Sequence, residues 1–170
     1  MTTGQQNTAI GNGALGSSTS GNYNVAIGQG CLTGGDGTPQ YNVAAGHNAL
    51  NATGGAAVSE VVAIGRDAGG DINDADSNGT VAVGAFALGM LTSGQANTAV
   101  GWAALYNGMD VGDFNTAVGY QALYNLNPGS DGHGSNTAVG YRAGYNQTTA
   151  ENNTFLGARA GEDCTGASNV

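Results

Sequence analysis

Basic residues are almost absent from this sequence. It contains no lysine and three arginines, Arg66, Arg142 and Arg159, against twelve acidic residues, and its formal net charge at pH 7 is −9. Binding to nucleic acids and to anionic lipids depends on Lys and Arg side chains that contact phosphate groups. The composition therefore predicts that neither nucleic acid nor a membrane surface is a partner.

Cysteine, proline and long apolar runs are also scarce. Two cysteines do not make the disulfide framework of a small secreted domain. Two prolines argue against a disordered low-complexity tract, and the 32 glycines lack the every-third spacing of collagen. No run of about 18 apolar residues occurs, so neither a secretion signal nor a membrane span is expected.

The sequence is rich instead in one repeated unit. Nine copies align on a glycine, at spacings of 17 to 21 residues: Gly11, Gly28, Gly46, Gly65, Gly84, Gly101, Gly119, Gly140 and Gly157. Self-similarity at such a period is typical of solenoids and other repeat folds. Residues 168–170 resemble the opening of a tenth copy. We therefore expect residues 1–170 to form a single repeat domain whose last repeat is incomplete.

Each copy follows one pattern when residues are counted from its glycine as position 0. Position −4 is Asn in seven copies, −3 is Thr or Val in all nine, −2 is Ala in eight, and −1 is Ile, Val or Leu in eight. Position +3 is Ala in eight copies, and +4 is Leu or Gly. The residues at one position in successive copies are termed a column.

Short strands fit this pattern better than a helix does. The period also approximates five α-helical turns, but each of the several glycines per copy would cost about 1 kcal/mol inside a helix. β-Branched residues at −3 and −1, bounded by Asn and Gly, are typical of a short strand. The sequence therefore predicts an all-β fold, a parallel β-solenoid or β-roll of about nine coils with 17–21 residues each.

Alternation along the strand places positions −3 and −1 on one face and positions −4 and −2 on the other. The first face is Thr/Val with Ile/Val, the second is Asn with Ala, and neither is charged. A half-solvated sheet shows water a polar face, so we expect one face to line the roll and the other to pack against neighbouring subunits around a common axis. The pattern leaves open which face lies inside. The asparagines are expected to hydrogen-bond along the stack through their amides.

The repeat resembles those of two known groups of proteins. Residues 24–28 (Asn-Val-Ala-Ile-Gly) and 81–84 (Val-Ala-Val-Gly) are similar to the repeat of trimeric autotransporter adhesin heads. Residues 115–123 (Asn-Thr-Ala-Val-Gly-Tyr-Gln-Ala-Leu) are similar to repeats of bacteriophage tail-fibre and other virion surface proteins, including those of cyanophages. The resemblance covers essentially the whole chain and implies a left-handed roll wound as a homotrimer. The longer, uneven repeats favour the virion group.

The resemblance implies a non-enzymatic structural protein of a bacteriophage particle. We expect a rigid trimeric β-solenoid in a tail fibre, tail spike or head decoration, located at the virion surface and contacting other virion proteins. The alternative is a head module of a trimeric adhesin on a bacterial cell surface, which binds the host surface or a host-surface glycan. No Ser/His/Asp or Cys/His set stands out, so a glycan-cleaving spike is the least favoured hypothesis.

One acidic segment resembles a cation site. Asp74, Asp76 and Asn78 place oxygen-bearing side chains at alternate positions before a glycine, as in the first half of a calcium-binding loop. The place of the closing glutamate of such a loop is taken by Ala85. Calcium is therefore the one cofactor that the sequence suggests. A solvated acidic loop with no cofactor is the favoured interpretation.

Aromatic residues recur at two positions of three successive copies. Trp102, Tyr120 and Tyr141 occupy position +1, and Tyr106, Tyr124 and Tyr145 occupy position +5. Stacked coils would bring each set into a ladder of rings, with contacts worth about 0.5–1.5 kcal/mol each beyond burial. Packing is the favoured role, and contact with a glycan is the alternative if the rings are exposed.

Overall fold

The structure, a computed structural model, describes residues 4–17, 20–33, 37–51, 57–73, 77–108, 112–127, 134–149 and 151–164. Within these ranges the regular elements are three-residue β-strands, and no α-helix occurs. The strands are β1 (Thr8–Ile10), β2 (Val25–Ile27), β3 (Val43–Ala45), β4 (Val62–Ile64), β5 (Val81–Val83), β6 (Thr98–Val100), β7 (Thr116–Val118), β8 (Thr137–Val139) and β9 (Thr154–Leu156). The all-β prediction is confirmed, whereas the opening of a tenth copy lies outside the described residues.

The nine strands form one parallel sheet in the order of the sequence, from β1 to β9. Each strand pairs with the next without any shift, so that position −2 always lies beside position −2, as in Ala9↔Ala26 and Ala117↔Ala138. Parallel neighbours that are consecutive in sequence require a full circuit of chain between them. The chain is therefore a β-solenoid, and at about 4.8 Å per coil its sheet is about 38 Å long.

The chain turns between strands through residues with a left-handed backbone. Around Gly119, for example, Phe114 at −5, Gln121 at +2 and Leu123 at +4 have φ values of 60°, 55° and 49°. Residues other than glycine are destabilised by about 1–2 kcal/mol in that conformation. Hydrogen bonds between coils offset the cost, because the Gln121 and Leu123 amides donate to carbonyls of the preceding and following coils at 2.9 Å. Backbone pairing thus continues beyond the strands.

The Asn–Ala face lines the interior of the roll. The −2 alanines of β2 to β8 are fully buried, whereas the flanking −3 and −1 residues are half-buried or exposed. Volume is the physical reason, since the core consists of small alanines at −2 and +3 packed against leucines at +4. Of the two arrangements that the sequence allows, the structure therefore has Asn and Ala inside and Thr, Val and Ile outside.

The asparagines at −4 form the predicted ladder. The Oδ1 atom of Asn115 accepts hydrogen bonds from the backbone N–H and from Nδ2 of Asn136, both at 3.0 Å. Asn97 Oδ1 accepts the same two bonds from Asn115, at 2.9 and 3.0 Å. Equivalent pairs join Asn7 to Asn24, Asn24 to Asn42, and Asn136 to Asn153. The ladder is interrupted at Val61 and Thr80, which replace Asn in the fourth and fifth coils.

The last coil shows how the core conserves volume. Phe155 replaces the −2 alanine there, and it fits because position +4 is glycine rather than leucine in the last two coils. A Cβ atom on Gly144 would lie 2.9 Å from the Phe155 ring, and one on Gly161 would overlap that ring. The ring therefore occupies space that two leucine side chains fill elsewhere, as close packing requires.

Candidate functional site

The exposed apolar side chains of the described residues all lie on one side of the rod. Eleven large hydrophobic residues are exposed: Tyr23, Tyr41 and Phe114 at −5, Val43 at −3, Ile10, Ile27, Ile64 and Leu156 at −1, and Trp102, Tyr120 and Tyr141 at +1. Positions −3 and −1 point outward from the sheet because side chains alternate along a strand, and positions −5 and +1 lie beyond the two ends of each strand. The residues at −5, −3, −1 and +1 are termed the outer stripe.

The outer stripe is almost free of charge in a chain whose net charge is −9. All nine coils together contribute one acidic residue, Glu60 at −5, and one basic residue, Arg66 at +1. Both belong to the coil that contains Gly65. The other described acidic side chains lie off the stripe, so one side of the rod is nearly uncharged and the remainder is acidic.

The dimensions of the outer stripe match those of a protein interface. Seven residues from −5 to +1 cover about 20 Å at about 3.3 Å per residue, and the stack is about 38 Å long. The stripe therefore presents on the order of 800 Å², which is about what each partner buries in a standard interface. Isolated exposed hydrophobic residues are ordinary on a protein surface, but a continuous apolar face is typical of an association site.

The Trp102, Tyr120 and Tyr141 rings stack in one column along the +1 border of the stripe. Neighbouring ring centroids are 4.9 and 5.6 Å apart, with interplanar angles of 13° and 19°. Phe86 packs edge-to-face with Trp102 at 6.1 Å, and the Arg159 guanidinium lies 5.9 Å from the Tyr141 ring. The three residues are 41–45% exposed. Because the rings cover one another's faces, a ligand would meet mainly their edges.

The second set of rings lies off the stripe and is half-buried. The centroids of Tyr106 and Tyr124 are 5.4 Å apart, and those of Tyr124 and Tyr145 are 5.1 Å apart. Arg142 covers Tyr145 at 3.9 Å and forms an ion pair with Glu162 at 3.0 Å. Burial, followed by the neighbouring tyrosines, raises the pKa of Tyr124, so this side chain stays uncharged at neutral pH. A cleft of about 130 Å³ lies beside it, lined by Phe86, Trp102, Ala103, Tyr106 and Tyr124.

The predicted calcium loop lies largely outside the described residues, since Asp74 and Asp76 are not among them. Asn78 is described and exposed, and its Oδ1 accepts the Ser59 backbone N–H at 3.2 Å. The described part of the chain contains no group of three or more His, Cys, Asp or Glu residues that could hold a metal ion. Calcium binding stays a prediction.

Cys31 and Cys164 are both free thiols. Cys31 takes the place of the +3 alanine, is fully buried, and donates a hydrogen bond from Sγ to the Ala44 carbonyl at 3.1 Å. Burial raises the pKa of the Cys31 thiol. The thiol is therefore protonated and unreactive at neutral pH, and Cys31 acts as a core residue.

The −5 column is the part of the stripe that strand prediction does not identify, because the predicted strand begins at −4. Tyr23 and Tyr41 stack in this column with centroids 5.0 Å apart and an interplanar angle of 4°. Phe114 is 59% exposed in the same column. The one signal in the sequence is that an aromatic residue recurs at −5 in three copies.

Comparisons with protein-family models, with curated proteins and with solved structures each return no match to this chain. Among the described residues, no helix has the length and apolar character needed to cross a membrane. The β-solenoid, its repeat and the outer stripe are therefore the features that bear on function.

Proposed function

We propose that this chain is a non-enzymatic structural protein of a bacteriophage particle, a rigid rod of three left-handed rolls in a tail fibre, tail spike or head decoration. The outer stripe is the observation that carries the proposal. A largely apolar face with one charge of each sign runs along all nine coils, and removing its apolar side chains from water favours association. Three copies that turn their stripes toward a common axis hide this face and leave the acidic side in solvent.

Rigidity is the mechanical basis of the proposed role. Each coil is fixed to the next by strand pairing, by backbone bonds in the turns and, in most coils, by an asparagine pair. A stack of this kind transmits force along its axis without a hinge, which suits a fibre or spike that joins other virion proteins to the exterior.

Self-association should be measurable on the purified chain. We expect sedimentation equilibrium to show a trimer at micromolar concentration. Ile64→Asp places a charge at the centre of the stripe and should weaken association by more than about tenfold, because the carboxylate must be desolvated in the interface. The fold should be retained, since Ile64 is 41% exposed. Thr149→Asp adds the same charge at an exposed position off the stripe and should leave association unchanged. A folded wild-type monomer at these concentrations would refute the proposal.

An adhesin head remains the second candidate, because the Trp102, Tyr120 and Tyr141 column is exposed in the single chain. Trp102 is the sole tryptophan, so its fluorescence reports on this column. Protection of Trp102 from acrylamide quenching in the assembled species would support packing between copies, whereas full accessibility would favour the ligand-binding alternative.

Location gives a direct test of the virion assignment. Antibodies raised against the purified chain should label intact phage particles in electron micrographs of the source phage and leave uninfected host cells unlabelled. Labelling of the bacterial cell surface in the absence of phage would contradict the assignment and support the adhesin head.

A further inference from the structure

We infer that copies of this chain associate in parallel and in register around an axis along the rod, with Glu60 of one copy paired to Arg66 of the next. The inference rests on the proposed function, because it specifies how the outer stripe of one copy meets that of another. It concerns the only two charged positions of the stripe and gives them a role that neither has within a single chain.

Glu60 and Arg66 lie in the same coil but at opposite borders of the stripe. Glu60 is at −5 and Arg66 at +1, on either side of β4. Six residues at about 3.3 Å each separate the two positions by up to about 20 Å. No ion pair joins these two described side chains within one chain.

Neither side chain is well satisfied within a single copy. Glu60 is exposed and forms no ion pair with the described residues. The Arg66 guanidinium lies 4.3 Å from the Phe86 ring and contacts the Asp67 carboxylate at a distant 3.9 Å, with 59% of its side chain exposed. An ion pair so long and so exposed contributes little. Both groups remain available to a partner.

Parallel cyclic packing brings these two charges together. Rotation about an axis along the rod places the −5 border of one copy against the +1 border of the next at the same coil. Glu60 then faces Arg66, and three coils further along Phe114 faces Tyr120. Phe114 and Tyr120 are 59% and 44% exposed in the single chain. Every copy in a closed ring makes the same contacts, since the symmetry is cyclic.

Other arrangements separate the charges. In an antiparallel pair the fourth coil meets the sixth with like borders together, so Glu60 faces Ala96 and Arg66 faces Trp102. A slip by one coil in a parallel pair places His47 or Ala85 opposite Glu60. Each alternative desolvates a carboxylate without an opposite charge, which is costly. Charge complementarity therefore selects the parallel, in-register arrangement.

Charge reversal tests the pairing on the full chain. Glu60→Arg and Arg66→Glu should each weaken association by more than about tenfold in sedimentation equilibrium, because like charges then meet at every contact. The double reversal, E60R with R66E, should restore most of the lost affinity. Asp71→Arg is the matched control, since it makes the same charge change as E60R in the same coil but off the stripe, and it should leave association unchanged. Circular dichroism should show that all variants remain folded.

The outcomes separate this inference from the proposed function. If the wild type associates and single reversals have no effect, or if the double reversal fails to restore association, the Glu60–Arg66 pairing is overturned while the self-associating rod stands. If the folded wild type is a monomer, the proposed function itself fails. Mixed wild-type and doubly reversed chains should sort into separate assemblies, because each mixed contact joins like charges, and free mixing would also overturn the pairing.

Discussion

Gly119→Ala should destabilise the chain by about 2–6 kcal/mol or prevent it from folding. Gly119 has a φ of 137°, a conformation in which a side chain costs about 1–3 kcal/mol. A Cβ atom there would lie 2.7 Å from the carbonyl carbon of Gly140 and closer still to its oxygen. Gly140 cannot move aside, because its N–H donates to Val118 at 2.8 Å. Overpacking of this kind adds about 1–3 kcal/mol.

Urea unfolding followed by circular dichroism measures this loss, at one fixed protein concentration because association adds to stability. Gly157→Ala is the first control. It has the same kind of backbone, with a φ of 123°, but no described atom lies within 4 Å of its Cβ position. It should lose only the conformational cost, about 1–3 kcal/mol.

Gly79→Ala is a second control in the middle of the stack. Position −5 accepts alanine in the next coil, where Ala96 has a φ of 53°, and a Cβ on Gly79 would have no neighbour closer than 3.9 Å. It should cost about 1–2 kcal/mol. If all three variants lose equal stability, close approach between coils is not what requires glycine at position 0.

Two features of the repeat made the fold predictable from sequence. Position −3 is β-branched in every copy, and the columns hold their identity while insertions change only the spacing. Residue types are retained in a column despite such insertions only if successive copies lie side by side. The unshifted pairing of β1 to β9 shows that they do. The Asn pairs follow from the same pattern, since stacking brings the amides of one column within hydrogen-bond distance of each other.

The interior face was not predictable, because neither face of the strand carries a charge. The choice depends on volume and on polar satisfaction in three dimensions. Ala117 fits a narrow lumen, and the amide of Asn115 finds both donors and acceptors inside it. The left-handed backbone of the leucines at +4 was not predictable either, because leucine disfavours a φ such as the 49° of Leu123. The one sequence signal for this conformation is that glycine occupies the same column at Gly144 and Gly161.

The candidate site was partly visible in the sequence. The column of Trp102, Tyr120 and Tyr141 follows from the repeat, and the rings do stack. The sequence does not show that this column lies beside Ile64 and the Tyr23–Tyr41 stack on one continuous stripe. That arrangement depends on how far the chain runs before it bends. The bend at −5 is set by a left-handed residue such as Tyr41, with a φ of 59°.

Asn115→Val should cost about 2–4 kcal/mol of unfolding free energy. A valine side chain fits the space at this position, because Val61 occupies the same column and is fully buried. The substitution removes the Oδ1 that accepts both the backbone N–H and Nδ2 of Asn136 at 3.0 Å, and it deprives Asn97 Oδ1 of one of its two donors. A buried group left without its partner costs about 1–3 kcal/mol, and two donors of Asn136 lose this acceptor, whereas Asn97 Oδ1 keeps the backbone N–H of residue 115 as its second donor.

Thr80→Val also introduces valine in the −4 column, but its effect on the free energy of unfolding should have the opposite sign. The Thr80 hydroxyl is buried and has no hydrogen-bond partner in the described part of the chain. Replacing it by a methyl group removes that cost, so the change should be neutral or stabilising by up to about 1 kcal/mol. The comparison cancels the preference of valine for strands, which both variants share.

Amide hydrogen exchange locates the effect of Asn115→Val. The Asn136 N–H should exchange faster in that variant, because it loses its acceptor, while Thr80→Val should leave it protected. If the two substitutions change stability equally and Asn136 stays protected, backbone bonds alone hold the coils together. The asparagines would then be needed only to exclude water from the lumen. The expected opposite signs would instead show that the amides stabilise the stack beyond the pairing of its three-residue strands, which β4 and β5 achieve in register without an asparagine at −4.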